Sequence, residues 1–348
     1  MKVLIIATSP DTRGGITSVL NAYRQCDIWK KCHCRWIASH SDKNRISKIF
    51  FFLRGWLAFI IALPLYDIVH IHVSEPPSAL RKCFFMPFVR IFGKKAIVHF
   101  HSFSADTTIK SRWAFLYRYL FGSADAVIAL SPYWKNKIVA ALSNVSEDKI
   151  HVLYNPCISE PFEEKYKKRE TVLFAGVLVQ RKGYADLLKG FARIAQKYPK
   201  WKLVFAGSGE LEKAKELTDK FGLSDQVEFA GWVRGREKDK LFKEASIFCL
   251  PSYAEGFPMS VLDAWSYGLP VVATPVGGLP DIAVDGKNML LFPVGDEQAL
   301  AACLEKVIVD EKLRDELSFH AKNLSENVFD KRIVAAQLEK IYFQIFNS

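Results

Sequence analysis

Short apolar runs alternate with longer amphipathic stretches along most of the chain. Val3–Thr8, Ile68–Val73, Ala96–Phe100 and Ala126–Leu130 are mainly apolar runs of strand length and read as buried strands. Helical spacing of apolar residues falls at 16–28, 45–63, 78–92 and 109–121. The rhythm continues with strands at Val172–Ala175, Lys202–Ala206, Val227–Ala230, Ile247–Leu250 and Val271–Ala273. Helices fit 184–198, 209–221, 236–244, 258–267, 296–308 and about 331–346. Strand–helix alternation predicts βαβ units. The expected fold class is therefore α/β, with two doubly wound, Rossmann-like domains. Their ligand sites should lie outside the carboxyl ends of the strands. The polar stretch Asn155–Glu170, with Pro156, Pro161 and the run Lys165-Tyr166-Lys167-Lys168-Arg169, separates domains at 1–160 and 161–330.

Ile49–Leu65 is the most apolar segment, interrupted by Arg54 and Pro64. A spanning helix needs about 20 apolar residues, and too few follow Arg54. Two readings stay open. The segment is a helix buried on the sheet, or it lies in a membrane interface. In the second case Lys43, Arg45, Lys48 and Arg54 sit among phosphates and Phe50–Phe52, Trp56 and Phe59 in the acyl boundary. Arg81-Lys82-Cys83-Phe84-Phe85, Arg90–Lys95 and Lys110-Ser111-Arg112-Trp113 repeat the mixture of cations and rings.

Charge sharpens this contrast. The 348 residues carry 48 Lys/Arg and 37 Asp/Glu, a net of +11, with half the residues apolar. Such hydrophobicity excludes a disordered chain. Residues 1–160 hold 21 basic and 10 acidic side chains, whereas 161–348 hold 27 of each. The excess therefore belongs to the N-terminal half, which also contains the apolar aromatic segments. An anionic membrane surface is expected as a partner, and nucleic acid is not, since no nucleic-acid motif is present. The seven Cys include one tight cluster, Cys32-His33-Cys34. A structural zinc site needs a second pair, so a strand is the simpler reading there. The first residues lack the pattern of a signal peptide. A reducing, cytoplasmic location on the inner membrane face follows as an expectation.

Candidate chemistry lies at strand–helix junctions. Ser9-Pro10-Asp11-Thr12-Arg13-Gly14-Gly15 places two glycines before a helix, an arrangement that suits phosphate. Arg181 and Lys182 stand between a strand and a helix, where two cations suit a diphosphate. Gly207 and its neighbours open a second such junction. Pro251–Ala264 is the densest region. Glu255 and Asp263 lie eight residues apart, and the helix start between them offers amides at Met259, Ser260 and Val261. A sugar nucleotide matches this layout. Tyr253 and Trp232 would line a base site or, more simply, pack in the core.

These pieces together resemble the retaining glycosyltransferases of family four, which have the two-domain GT-B fold. The markers are Gly14-Gly15, His99-Phe100-His101-Ser102, Asn155-Pro156, Lys182-Gly183, Gly207-Ser208-Gly209-Glu210, Pro251-Ser252, Glu255-Gly256-Phe257-Pro258, Gly268-Leu269-Pro270 and Gly277-Gly278-Leu279-Pro280. The resemblance implies domains facing across a cleft, with the C-terminal helix 331–348 crossing back to the first domain. It implies that Gly14 and Gly15 approach the donor and that His101 faces the transferred sugar. Lys182, helped by Arg181, would neutralise the leaving diphosphate. Glu255 would hold the donor sugar and Asp263 the ribose, with Gly207 and Phe257–Val261 completing the donor site. His99 is expected to alternate away from His101 and pack. No cofactor is expected, and no metal, in keeping with the lack of an Asp-x-Asp motif. Asp263 stands where the family usually has Glu, and Val177 where it often has Arg.

The expected function is transfer of a hexosyl-type sugar from a nucleotide-diphosphate sugar. The acceptor would be a lipid-linked saccharide or polysaccharide, in bacterial surface-polysaccharide synthesis. A sugar-nucleotide epimerase of the same fold and a non-catalytic membrane-associated binding protein remain as alternatives.

Overall fold

The computed structural model describes residues 1–41, 45–158 and 168–348. Lys43, Pro161 and Lys165–Lys167 lie outside these. Two compact units are present. The first comprises Met1–Pro156, Glu255–Met259 and Phe329–Ser348; the second comprises Cys157–Ala254 and Ser260–Val328.

The first unit runs β1 (Val3–Ala7), α1 (Gly15–Arg24), α2 (Ile28–Lys31), β2 (Arg35–Ala38), α3 (Arg45–Ala62) and β3 (Ile68–Val73). It continues with α4 (Pro76–Cys83), α5 (Met86–Ile91), β4 (Lys95–Phe100), α6 (Ala114–Ser123), β5 (Ala126–Ala129), α7 (Pro132–Ala141) and β6 (Ile150–Val152). Its parallel sheet has the order β2-β1-β3-β4-β5-β6. The inner strands β1, β3 and β5 are buried throughout; β1 and β5 are wholly apolar, as burial on both faces favours, and β3 also buries His70 and His72. Strand β2 gives no such run because it is an edge, and only Ile37 of its four residues is buried. The predicted helix 78–92 is two helices, α4 and α5. Pro87 has no N–H to offer the carbonyl of Cys83, so the chain breaks around Phe84 and Phe85. The helix predicted from 109 starts only at Ala114, because Ser111 Oγ first accepts from the Trp113 N–H (3.0 Å) in a turn.

The second unit runs β7 (Thr171–Ala175), α8 (Tyr184–Ala195), β8 (Lys202–Ala206), α9 (Leu211–Lys220), β9 (Val227–Gly231), α10 (Arg236–Glu244) and β10 (Ile247–Leu250). Then come α11 (Met259–Ser266), β11 (Val271–Ala273), β12 (Leu290–Leu291), α12 (Glu297–Val309) and α13 (Glu311–Asn327). Its parallel sheet has the order β12-β11-β10-β7-β8-β9. The last helix, α14 (Lys331–Asn347), belongs to the first unit. Its Val334, Leu338, Ile341 and Tyr342 share a buried cluster with Val3, Ile5, Leu20 and Tyr23.

Helix α3 is two-sided. Phe59 and Ala62 are buried, and a Cβ on Gly55 would come 2.2 Å from the carbonyl oxygen of Ala38. The other side presents Ile49, Leu53, Leu57 and Ile61 at four-residue spacing, each 57–69% exposed. Leu80, Phe84, Ile91, Phe92 and Phe115 add exposed apolar area from α4 to α6. The helix therefore covers the sheet with one side, as the buried reading expects, and bares an apolar stripe on the other. Lys48–Leu65 has mean hydropathy 1.8 and is 22% buried, so by length and composition alone it could cross a membrane. We expect Gly55→Val to lower the stability of the protein by about 1–3 kcal/mol, the usual range for overpacking. Urea unfolding followed by far-UV circular dichroism measures this, and an unchanged midpoint would show that α3 does not seat on β2.

Candidate active site

In the first unit the chemistry gathers at the carboxyl ends of β1, β3 and β4. Gly14 precedes α1 with φ 146°, a conformation that favours glycine. A Cβ there would meet nothing, and one on Gly15 would sit 3.7 Å from Met259 Cγ, an ordinary contact. Backbone conformation at Gly14, not crowding, is thus the reason for glycine.

His101 follows β4, and its N–H donates to the Val73 carbonyl (2.7 Å). The expectation for His99 is corrected here. Side chains on a strand alternate with period two, so residues 99 and 101 share a face and Phe100 takes the other. The rings of His99 and His101 lie 4.1 Å apart. His70 and His72 on β3 join them, with His72 stacked on His101 at 5.0 Å and on His70 at 4.4 Å. His72 Nδ1 and His101 Nε2 share a hydrogen bond of 2.9 Å, and His70 Nδ1 bonds the Tyr342 hydroxyl at 2.6 Å. Burial pushes all four toward the neutral form, His70 and His101 down to about 3 and His72 and His99 well below their ordinary range. Ligand nitrogens of His70, His72 and His99 lie within 4.8 Å of one another, close enough to suggest a metal trio.

The loop after β4 is organised by Glu75, a residue the sequence pattern did not single out. Its carboxylate accepts from Ser102 Oγ (2.7 Å), the Phe103 N–H (3.3 Å) and Thr107 Oγ1 (2.6 Å). The segment Glu255–Met259 is also fixed within this unit. Trp134 Nε1–H donates to the Gly256 carbonyl and Asn155 Nδ2–H to the Phe257 carbonyl, both at 2.9 Å. A Cβ on Gly256 would stand 2.5 Å from the Ser102 carbonyl oxygen, so only glycine permits this approach. Glu255, Phe257 and Pro258 are buried.

In the second unit, Arg181 and Lys182 occupy a 3₁₀ turn (Gln180–Lys182) after β7. Gly183 follows with φ 67°, and a Cβ there would lie 1.9 Å from the Pro251 carbonyl oxygen. The Tyr253 N–H donates to the Arg181 carbonyl (2.8 Å), and the Arg181 guanidinium donates to the Ala254 carbonyl. Arg181 thus fastens a loop. A Cβ on Gly207 would lie 1.7 Å from the Gly176 carbonyl oxygen, so the turns after β7 and β8 touch backbone to backbone. Helix α11 buries Val261 and half-buries Met259 and Ser260. Asp263, one turn inside it, pairs with Lys238 Nζ at 2.7 Å, a partner nothing in the sequence pattern indicated. Tyr253 and Trp232 are 46% and 39% exposed, which overturns the core-packing reading of both. The Tyr253 hydroxyl donates to Asp186 Oδ2 (2.7 Å).

The comparisons with known proteins agree with one another. Residues 158–324 match the family described as glycosyl transferases group 1, and residues 5–158 match glycosyltransferase family 4. An uncharacterised glycosyltransferase of Methanocaldococcus jannaschii is 28% identical over 291 residues, covering 78% of this chain and 73% of its own. A capsular polysaccharide biosynthesis glycosyltransferase of Staphylococcus aureus is 30% identical over 235 residues, covering 63% of this chain and 61% of its own. The structure of Anabaena HepE in complex with UDP-glucose superposes with a TM-score of 0.78 at 18% identity, over 99% of this chain and all of that one. That likeness shows the fold.

The histidine stack makes stability depend on pH. A buried neutral imidazole takes no proton in the folded state, whereas the unfolded chain takes one below its ordinary value of 6.5. The unfolded state then holds more protons, so stability falls as pH drops below about 6.5. Among the described residues, both ring nitrogens of His99 are buried without a hydrogen-bond partner. We expect His99→Phe to fold and to flatten this dependence by up to about 1.4 kcal/mol per pH unit. Denaturant melts at pH 7, 6 and 5 check it; parallel curves for the two proteins would show that His99 titrates normally.

Proposed function

The chain belongs to the group 1 glycosyltransferases of family four, with two parallel-sheet Rossmann-like domains of the GT-B type, and we propose that it is a retaining hexosyltransferase. Its donor is a nucleotide-diphosphate sugar. Its acceptor is a lipid-linked saccharide at the inner face of the cytoplasmic membrane, in bacterial surface-polysaccharide synthesis. The observation that carries the donor assignment is the fixed turn at Lys182. Gly183 and Pro251 hold it backbone to backbone at the carboxyl edge of β7, the edge where doubly wound sheets bind ligands. The HepE relative in complex with UDP-glucose and the capsular relative support the substrate class.

The mechanism follows from electrostatics. Lys182 neutralises charge on the departing diphosphate, and the amides of Met259, Ser260 and Val261 add donors at a helix start. Departure leaves an oxocarbenium-like centre on the sugar. Glu255 and His101 hold the sugar hydroxyls. The acceptor hydroxyl attacks from the face the diphosphate leaves, and a phosphate oxygen of that group takes its proton. Asp263 holds the ribose hydroxyls with one carboxylate oxygen while Lys238 takes the other. Val177 supplies no second cation, so Lys182 does this work without the usual partner. No metal enters this scheme.

Two measurements test the proposal. In a screen of nucleotide sugars, one should bind and release its nucleoside diphosphate. Lys182→Ala and Glu255→Ala should each lower turnover at least about 100-fold, the typical loss of a group stabilising transition-state charge. Unchanged transfer in both variants would remove the site assignment, and isomerised sugar without an acceptor would favour an epimerase. The exposed stripe of α3 with Lys48 and Arg54 supports the membrane assignment. A basic side chain near an anionic surface contributes about 1 kcal/mol, so Lys48→Glu with Arg54→Glu should weaken binding to anionic vesicles about thirtyfold or more. Wild-type protein that fails to float with such vesicles at low salt would contradict it.

A further inference from the structure

The hydrogen bond between His72 and His101 admits two proton arrangements. In one, His72 carries its proton on Nδ1 and donates to a bare His101 Nε2. In the other, His101 donates from Nε2, and the proton of His72 sits on its own Nε2. Among the described residues, that nitrogen is buried without a hydrogen-bond partner. A buried N–H without an acceptor is rarer in folded proteins than an acceptor without a donor, and stranding it forfeits a hydrogen bond. The first arrangement therefore prevails. The groups acting on His72 are His70, His99, His101 and Lys82, and none of them is a carboxylate that would hold a second proton on the ring.

We infer that His72 is a positioning residue, which fixes His101 in the Nδ1–H tautomer and makes it a hydrogen-bond donor toward its ligand. Among the described residues no group engages His101 Nδ1, and the side chain is only half-buried, so that N–H faces outward to a ligand. Burial keeps the ring neutral. A neutral donor binds a sugar hydroxyl oxygen without placing a positive charge beside a cationic sugar centre. The kinetic part of this inference rests on the proposed sugar-facing role of His101; the tautomer does not.

Nitrogen NMR of the full-length protein with ¹⁵N-labelled histidine, assigned with His101→Gln, reads the tautomer directly. The Nδ1–H form is expected for His101 in the wild type. His72→Asn puts an N–H where the imidazole Nδ1–H was, so it should keep that form and hold kcat within about threefold. His72→Phe should give mixed tautomers and lower kcat about tenfold, the worth of one hydrogen bond, with donor KM little changed. Circular dichroism establishes that each variant is folded. A wild-type Nε2–H form, or an unaltered tautomer in His72→Phe, would overturn the inference. The expected tautomers with unchanged kcat in His72→Phe would uphold the positioning and instead contradict the role of His101 in transfer.

Discussion

Burial without counter-charge governs the edge of the first sheet. Period-two alternation on β3 and β4 puts four imidazoles on one face, and no carboxylate is among the groups that shift them. They must stay neutral, stack, and share the few hydrogen bonds available. This sets the tautomers, ties β3 to α14 through His70 and Tyr342 (2.6 Å), and leaves His101 as the member that reaches the surface.

A second constraint is close backbone approach. Gly183 at Pro251, Gly207 at Gly176 and Gly256 at Ser102 each permit a contact that any side chain would close. Such contacts fix loops that would otherwise lose considerable conformational entropy on binding a ligand. Lys182 and Glu255, the residues proposed for the site, lie beside such glycines, which bring rigid peptide groups together.

The sequence makes the buried strands legible because a strand covered on both faces reads as a nearly continuous apolar run. Ile68–Val73, Lys202–Ala206, Ile247–Leu250 and Val271–Ala273 lie where the runs place them. Edge strand β2 and the short β12 bury less and leave no comparable run. His99 was legible in principle, since alternation alone puts it beside His101. Side-chain partners were not legible: the engagement of Arg181 with Ala254, of Asp263 with Lys238 and of Glu75 with the loop after β4 depends on tertiary placement. Charge bookkeeping by halves pointed to the unit that bears the exposed stripe of α3. The structure adds that the stripe is one side of a helix whose other side is core.

The proposed reaction takes its donor at the neutral unit and its lipid acceptor at the basic, apolar one. The most direct measurement incubates the protein with a nucleotide sugar carrying a radioactive sugar, together with membranes of a polysaccharide-producing bacterium, and partitions the products between water and organic solvent. The account predicts label in the organic phase in proportion to nucleoside diphosphate released. Label that stays wholly in water while the diphosphate is released would contradict it.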